Sequence, residues 1–245
     1  MSQEVEDKKT RDLEPVASDC VSLKESLRES VRDIDSTPYS LSADEFLEGN
    51  FLIPTRSGPK VAALVRELLS EESSLVGAWF EENTSDQPTY SDDPTWKDWW
   101  VDTISSPPEG LKTYGLFLKD DSSEDSELLA VVALKAVEDW HDGNTPTLYV
   151  NGLRINPNLM PYEEEKREYF GVGTSLLTFA VGESQRRGLL GIGVNSSLGV
   201  EKFYESLGMK AIPAHDGKRT YFTLKGEAQV KGYLEHQYRA SLLSK

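Results

Sequence analysis

The stretch EYFGVGTSLLTFAVGESQRRG, Glu168 to Gly188, places two glycines directly ahead of an amphipathic helical run. Ser, Thr, Asp or Asn usually begin a helix, because their side chains cap its free N–H groups. Gly171 and Gly173 supply no such cap. Two requirements would explain them: a turn whose dihedrals favour glycine, or a close approach to the backbone that a Cβ would block. The second has a chemical consequence. Bare N–H groups at the positive end of a helix dipole make an anion site, and phosphate is its usual occupant. Leu176, Leu177, Phe179, Ala180 and Val181 supply the apolar surface of this helix. Arg186 and Arg187 stand at its dipole-favoured C-terminal end, and Gly188 closes it.

On either side the hydrophobic period becomes that of strands. TYGLFL (Thr113–Leu118) and LLAVVALKAV (Leu128–Val137) read as an antiparallel hairpin over the acidic turn KDDSSEDSE. TLYVNGLRI (Thr147–Ile155) reads as a third strand, stopped by Pro157. Downstream, LLGIGVN is a strand, GVEKFYESLG a helix ended by Gly208, and KAIPA and RTYFTLK a final hairpin over HDGK. The first half reads as helix. Val21, Leu23, Leu27, Val31 and Ile34 form a thin stripe over Cys20–Ile34, and Ser42 with Glu45 makes a capping box. Lys60–Leu69 carries Val61, Leu64, Val65, Leu68 and Leu69 on one helical face. SLVGAWFEE is a strand or a helix end, and TWKDWWVDTI a short aromatic helix capped by Thr95 or Asp93. This order predicts an α+β sheet with helices on both faces.

A formal charge of −16 argues against general nucleic-acid binding, which needs Lys and Arg to neutralise phosphates. It suits a cationic partner, although solubility alone also accounts for it. No apolar run reaches the roughly 20 residues that a membrane span needs, and the polar N-terminus does not read as a signal peptide. The single Cys20 excludes an internal disulfide and a cysteine-rich zinc site, so the expectation is a reduced, cytoplasmic setting with no metal. Residues 1–19 are polar and without periodicity, and are expected to be a disordered acidic tail. Nothing in the sequence sets the oligomeric state.

Three local patterns, in order, resemble the GCN5-related N-acetyltransferase (GNAT) superfamily. LRINP has the strand-end pattern of an apolar residue, any residue, then Pro, with Ile155 and Pro157. Glu168-Tyr169-Phe170-Gly171-Val172-Gly173 is similar to the family's pyrophosphate loop, Q/R-x-x-G-x-G/A, except that Glu168 replaces Gln or Arg. FYESLGM, Phe203 to Met209, is similar to its Phe-Tyr-x-x-x-Gly-Phe signature. The connection from Pro157 to Gly171 is longer than the family norm, and its NLMPYEEEK reads as a surface bulge.

The resemblance implies a mixed, mostly antiparallel central sheet with a splayed cleft for acetyl-CoA as cosubstrate. It divides the chain into a helical, acceptor-side part (20–110), the core (111–226) and a C-terminal helical extension (227–245). Arg154, Ile155, Arg167, Glu168, Tyr169, Phe170, Gly171, Val172, Gly173, Thr174 and Asn195 become the expected cofactor-binding positions. Arg167 is the candidate to supply the positive charge missing at Glu168. Tyr204 takes the place of the acid that protonates the leaving thiolate, a task that suits a phenol of pKa near ~10. Asn195 would orient the pantetheine arm or the acceptor amine. The plainer account of Tyr204 is an amphipathic core residue, and of Asn195 a strand-end turn. TLYVNGLRI holds no carboxylate to act as base, which leaves Glu138, Asp139 and His141 on the preceding connection. Trp79, Glu81, Glu82, Trp96, Trp99 and Trp100 have an aromatic-acidic composition suited to a cation, although Trp96, Trp99 and Trp100 at helical spacing also read as core. The implied function is acetyl transfer to a primary amine, on a small molecule or a protein. The alternatives are a CoA- or partner-binding module of the same fold, and a glycine-loop nucleotide-binding protein, which lacks the Lys-Ser/Thr of a P-loop.

Overall fold

The computed structural model describes residues 17–30, 41–56, 58–81, 94–119, 127–139, 145–159, 167–197, 199–213 and 220–243. Its helices are α1 (Ala17–Ser30), α2 (Ala43–Leu47), α3 (Ser73–Glu81), α4 (Pro94–Ser105), α5 (Val172–Arg186), α6 (Glu201–Ser206) and α7 (Glu227–Leu243). Its strands are β1 (Asn50–Ile53), β2 (Val61–Glu67), β3 (Leu111–Leu118), β4 (Leu128–Asp139), β5 (Thr145–Ile155), β6 (Gly191–Asn195), β7 (Lys210–Pro213) and β8 (Thr220–Lys225). They form one 8-stranded sheet in the order β1-β2-β3-β4-β5-β6-β8-β7. Every neighbouring pair is antiparallel except β5 and β6.

Strand β4 shows why the sheet is covered on both sides. Its run LLAVVAL is apolar at every position, as a central strand buried on two faces must be. Leu129, Ala130, Val132 and Leu134 join the core under α5, α7, α1 and α2, whereas Leu128, Val131 and Ala133 join Trp79, Trp100 and Ile104 under α3 and α4. The mixed α+β sheet with helices on both faces is the architecture expected.

The first half departs from expectation. Lys60–Leu69 is not a helix, since Val61–Glu67 is strand β2, paired with β1 and β3. Its apolar residues satisfy period 2 as well as period 3.6, and Ala63 and Val65 are the ones buried. Neighbours on both sides supply ladder hydrogen bonds that no local signal announces. Strand β1, four residues long, is too short for its alternation to stand out in the sequence. SLVGAWFEE resolves as helix α3. The Ser42 capping box is present, Ser42 Oγ accepting from Glu45 N–H at 3.2 Å and the Glu45 carboxylate from Ser42 N–H at 2.9 Å.

Helix α1 begins at Ala17, inside the segment read as a tail, and buries Leu23 and Leu27 beside α7. Residues 1–16, Val31 and Ile34, residues 120–126 of the acidic turn, and the turn HDGK lie outside the described residues.

Candidate functional site

Among the described strands, the parallel pair β5–β6 shares the shortest register of the sheet. Its register is Leu148↔Ile192, Tyr149↔Gly193 and Val150↔Val194, and there it stops, although β5 runs on to Ile155. A bulge starts the separation. Against β4, Leu134 pairs with Val150 and Ala133 with Gly152, so Asn151 is an extra residue. A bulge bends its strand and turns backbone groups out of the ladder.

Helix α5 starts beside the far end of β5. Its N-cap Gly171 sits at φ +72°, the left-handed region, and a Cβ there would meet nothing within 4 Å. Conformation therefore calls for this glycine. Gly173 is the other case: a Cβ would lie 3.4 Å from both Ile155 Cδ1 and Phe203 Cζ. Side chains of β5 and α6 thus converge on Gly173 at ordinary contact distance. The first intrahelical bond runs from Ser175 N–H to Gly171 C=O at 2.9 Å, and no side chain caps the helix. The N–H groups of Val172, Gly173 and Thr174 are left without intrahelical acceptors, which is the chemistry of an anion cradle.

The loop before the helix is stapled to the segment after β1. Phe170 N–H donates to Pro54 C=O and Arg56 N–H to Glu168 C=O, each at 2.9 Å, and Tyr169 bridges to Thr55. Arg56 Nε also donates to Arg167 C=O at 3.1 Å. Glu168 is held by its backbone while its side chain is exposed. A second cation, Arg56, thus stands at the loop beside Arg167, and sequence spacing gave no sign of it. Burial raises the Tyr169 phenol, with the charges of Glu127 and Glu168 adding to it.

Tyr204 lies on α6. It is buried, and its ring packs against Phe203 and Phe222 with centroids 5.2 Å away in each case. Burial, and after it the neighbouring Tyr149, pushes its phenol up to about 12. The ordinary value expected from sequence is overturned by desolvation of the phenolate. On the other face, Asn195 Nδ2 donates to the Tyr149 hydroxyl at 2.9 Å. Sequence reading passed over Tyr149, whose only local signal is a phenol just before the bulge.

This layout of a mostly antiparallel sheet, one parallel pair that splays, and a glycine-led helix at the splay has counterparts among solved structures. A nucleotide-linked sugar GNAT, FdhC without ligand, is similar over 79% of this chain and 98% of its own, at 12% identity and TM-score 0.51. The chain has the GNAT fold. A GCN5-related N-acetyltransferase from Ralstonia eutropha JMP134 is similar over 62% of this chain and 95% of its own, at 15% identity and TM-score 0.41. No protein-family model and no curated protein sequence matches the chain.

Within the GNAT fold the expected site residues separate. Ile155, the loop 167–170, Gly171, Val172, Gly173 and Thr174 gather at the α5 start, and Asn195 and Tyr204 at the splay. Arg154 does not join them through its side chain. Its guanidinium lies 3.8 Å over the Phe80 ring of α3, on the opposite face, because alternation along β5 sends neighbours Arg154 and Ile155 to opposite sides. Glu138 is opposite Pro146, roughly 13 Å along the strand before the opening, so it is not at the splay. His141 and Glu82 lie outside the described residues. Trp100 and Trp79 are core, Trp99 packs against them, and a Cβ at Gly152 would meet the Trp99 and Trp100 rings at 3.0 Å. Only Trp96 of these tryptophans is exposed, at 38%. Among the described residues, no cluster of His, Cys, Asp or Glu could hold a metal, and no helix is long and apolar enough to cross a membrane.

Proposed function

We propose that the protein is an acyl-CoA-dependent N-acyltransferase, moving acetyl from acetyl-CoA to a primary amine by direct attack. One relationship carries this reading: the uncapped start of α5 lies against Ile155 of β5 and Phe203 of α6, next to the buried Tyr204, where β5 and β6 no longer pair. A Cβ at Gly171 would meet nothing within 4 Å, and the arginines Arg56 and Arg167 flank the loop that leads to it. Acetyl-CoA supplies an activated thioester, which the chain has only to place and polarise.

In this reading the amides of Val172, Gly173 and Thr174 hold the pyrophosphate, with Arg56 and Arg167 offsetting the carboxylate of Glu168. The backbone freed at the Asn151 bulge faces the acyl carbonyl. The amine enters from the α3/α4 side, past Trp96 and the Asn195–Tyr149 pair, within the part of the chain spanning 20–110 and β5. Its nitrogen attacks the carbonyl carbon, the C–S bond breaks with its electron pair on sulfur, and Tyr204 gives its proton to that sulfur. The ammonium proton leaves to water before the attack, and the second nitrogen proton, shed as the amide forms, restores the Tyr204 phenol. Acetyl-CoA and amine acceptors both occur in the cytoplasm, where this reading places the protein.

The raised Tyr204 phenol favours one other reading, a CoA-binding module of low activity. Thiol release from acetyl-CoA, screened over small amines, polyamines and peptides, separates the two. Amine-dependent release supports the transferase; acetyl-CoA binding without release under any amine supports the module.

A further inference from the structure

Ser196 follows the last residue of β6, and its N–H extends the ladder by donating to Thr220 C=O at 2.9 Å. The residue is 1% exposed, and its hydroxyl has no hydrogen-bond partner among the described residues. A buried polar group left unpaired costs more than a formed bond contributes, so folded chains seldom keep one without a use.

Alternation fixes the face on which this hydroxyl lies. Val194 is buried, Asn195 exposed and Ser196 buried again, and Ser196–Thr220 continues the Asn195↔Tyr221 register by one residue. Ser196 therefore shares the face of Val194. Phe222, the partner of Val194, packs against the Tyr204 ring. The orphan hydroxyl and the Tyr204 phenol thus belong to one face, at the end of β6 that borders the opening.

We propose that Ser196 binds the reacting end of CoA, its hydroxyl donating to the sulfur beside Tyr204. The assignment rests on the acyltransferase reading above. When the C–S bond breaks, its electron pair stays on sulfur and the sulfur takes the Tyr204 proton. A phenol pushed up to about 12 parts with that proton reluctantly. A second donor spreads the charge on sulfur before the proton moves, and a fixed hydroxyl does so without reorganising. Tyr204 alone would be a poor acid; Tyr204 with Ser196 is a better one.

The test compares CoA with desulfo-CoA, which lacks the sulfur, by calorimetry on wild type and Ser196→Ala. Removing the hydroxyl should weaken CoA roughly fivefold and leave desulfo-CoA unchanged. Unliganded Ser196→Ala should melt at or above the wild-type temperature, since no hydrogen bond to a described residue is lost. Equal CoA affinity in the two proteins overturns the proposal, and so does an equal loss for both ligands. A lower melting temperature without ligand overturns it too, because the hydroxyl would then have a structural partner. Wild type that binds neither ligand overturns the acyltransferase reading and takes Ser196 with it.

Discussion

The Asn195 side-chain amide donates to the Tyr149 hydroxyl at 2.9 Å, tying β6 to β5 beside the last pair the two strands share, Val150↔Val194. Because Tyr149 accepts this bond, its own proton is directed elsewhere. The link sits where the sheet opens, so it braces the edges of the opening against each other. A double-mutant cycle of Asn195→Ala and Tyr149→Phe should give a coupling of about 1 kcal/mol in unfolding free energy. Additive single effects would show that the two side chains do not support each other in solution.

Acetyl-CoA should raise the thermal midpoint of the wild type by mass action. Gly173→Val should abolish that rise. Its Cβ would already touch Ile155 and Phe203 at 3.4 Å, so its methyls must push into the region between β5 and α6. Thermal shift on the purified variant, with circular dichroism to confirm the fold, checks this outcome. An undiminished shift would move the phosphate site away from the α5 start.

Tyr204→Phe keeps the ring between Phe203 and Phe222 and removes only the hydroxyl. Acetyl-CoA affinity should stay nearly constant while turnover falls by roughly 10²–10⁴. The raised phenol makes a further demand on the wild type. With its phenol pushed up to about 12, Tyr204 should put no alkaline limb on the rate profile in the neutral range. A wild-type turnover rate in a folded Tyr204→Phe protein would make the residue a packing group.

Stability should fall in strong alkali. Tyr114, Tyr204 and Tyr233 are each pushed up to about 12, burial being the first cause in all three. Their folded values lie above the unfolded value near ~10. This contribution is therefore whole below pH ~10 and is lost as pH rises towards ~12. Urea unfolding across that window measures it, and Tyr204→Phe should flatten the slope. A wild-type unfolding free energy that stayed constant through the window would contradict the burial of these phenols.

Gly193→Ala should cost about 3 kcal/mol, at the upper end for overpacking. A Cβ there would fall 1.8 Å from the Tyr221 hydroxyl oxygen and 2.6 Å from its ring carbon Cζ. Tyr221 is itself buried, so it has no free space to retreat into. Chemical denaturation of the variant checks the figure. A loss below ~1 kcal/mol would mean that Tyr221 can leave its place over β6.

The sequence by itself determined the parts of this protein that rest on local period and local backbone chemistry. Strands β3 to β6, helix α5 with its uncapped glycine start, and Tyr204 after a strand ending in Asn195 were all legible. A central strand such as β4 must be apolar throughout, and a helix start without a cap shows in any sequence. Tertiary structure alone decided the rest. Val61–Glu67 fits both periods, and the choice of strand came from β1 and β3, which are distant from it or absent from the pattern. The sides taken by Arg154 and Ile155, the Asn151 bulge, the Asn195–Tyr149 bond and the burial of Ser196 all depend on pairing register. Register is a relation between strands, and no single stretch of chain encodes it.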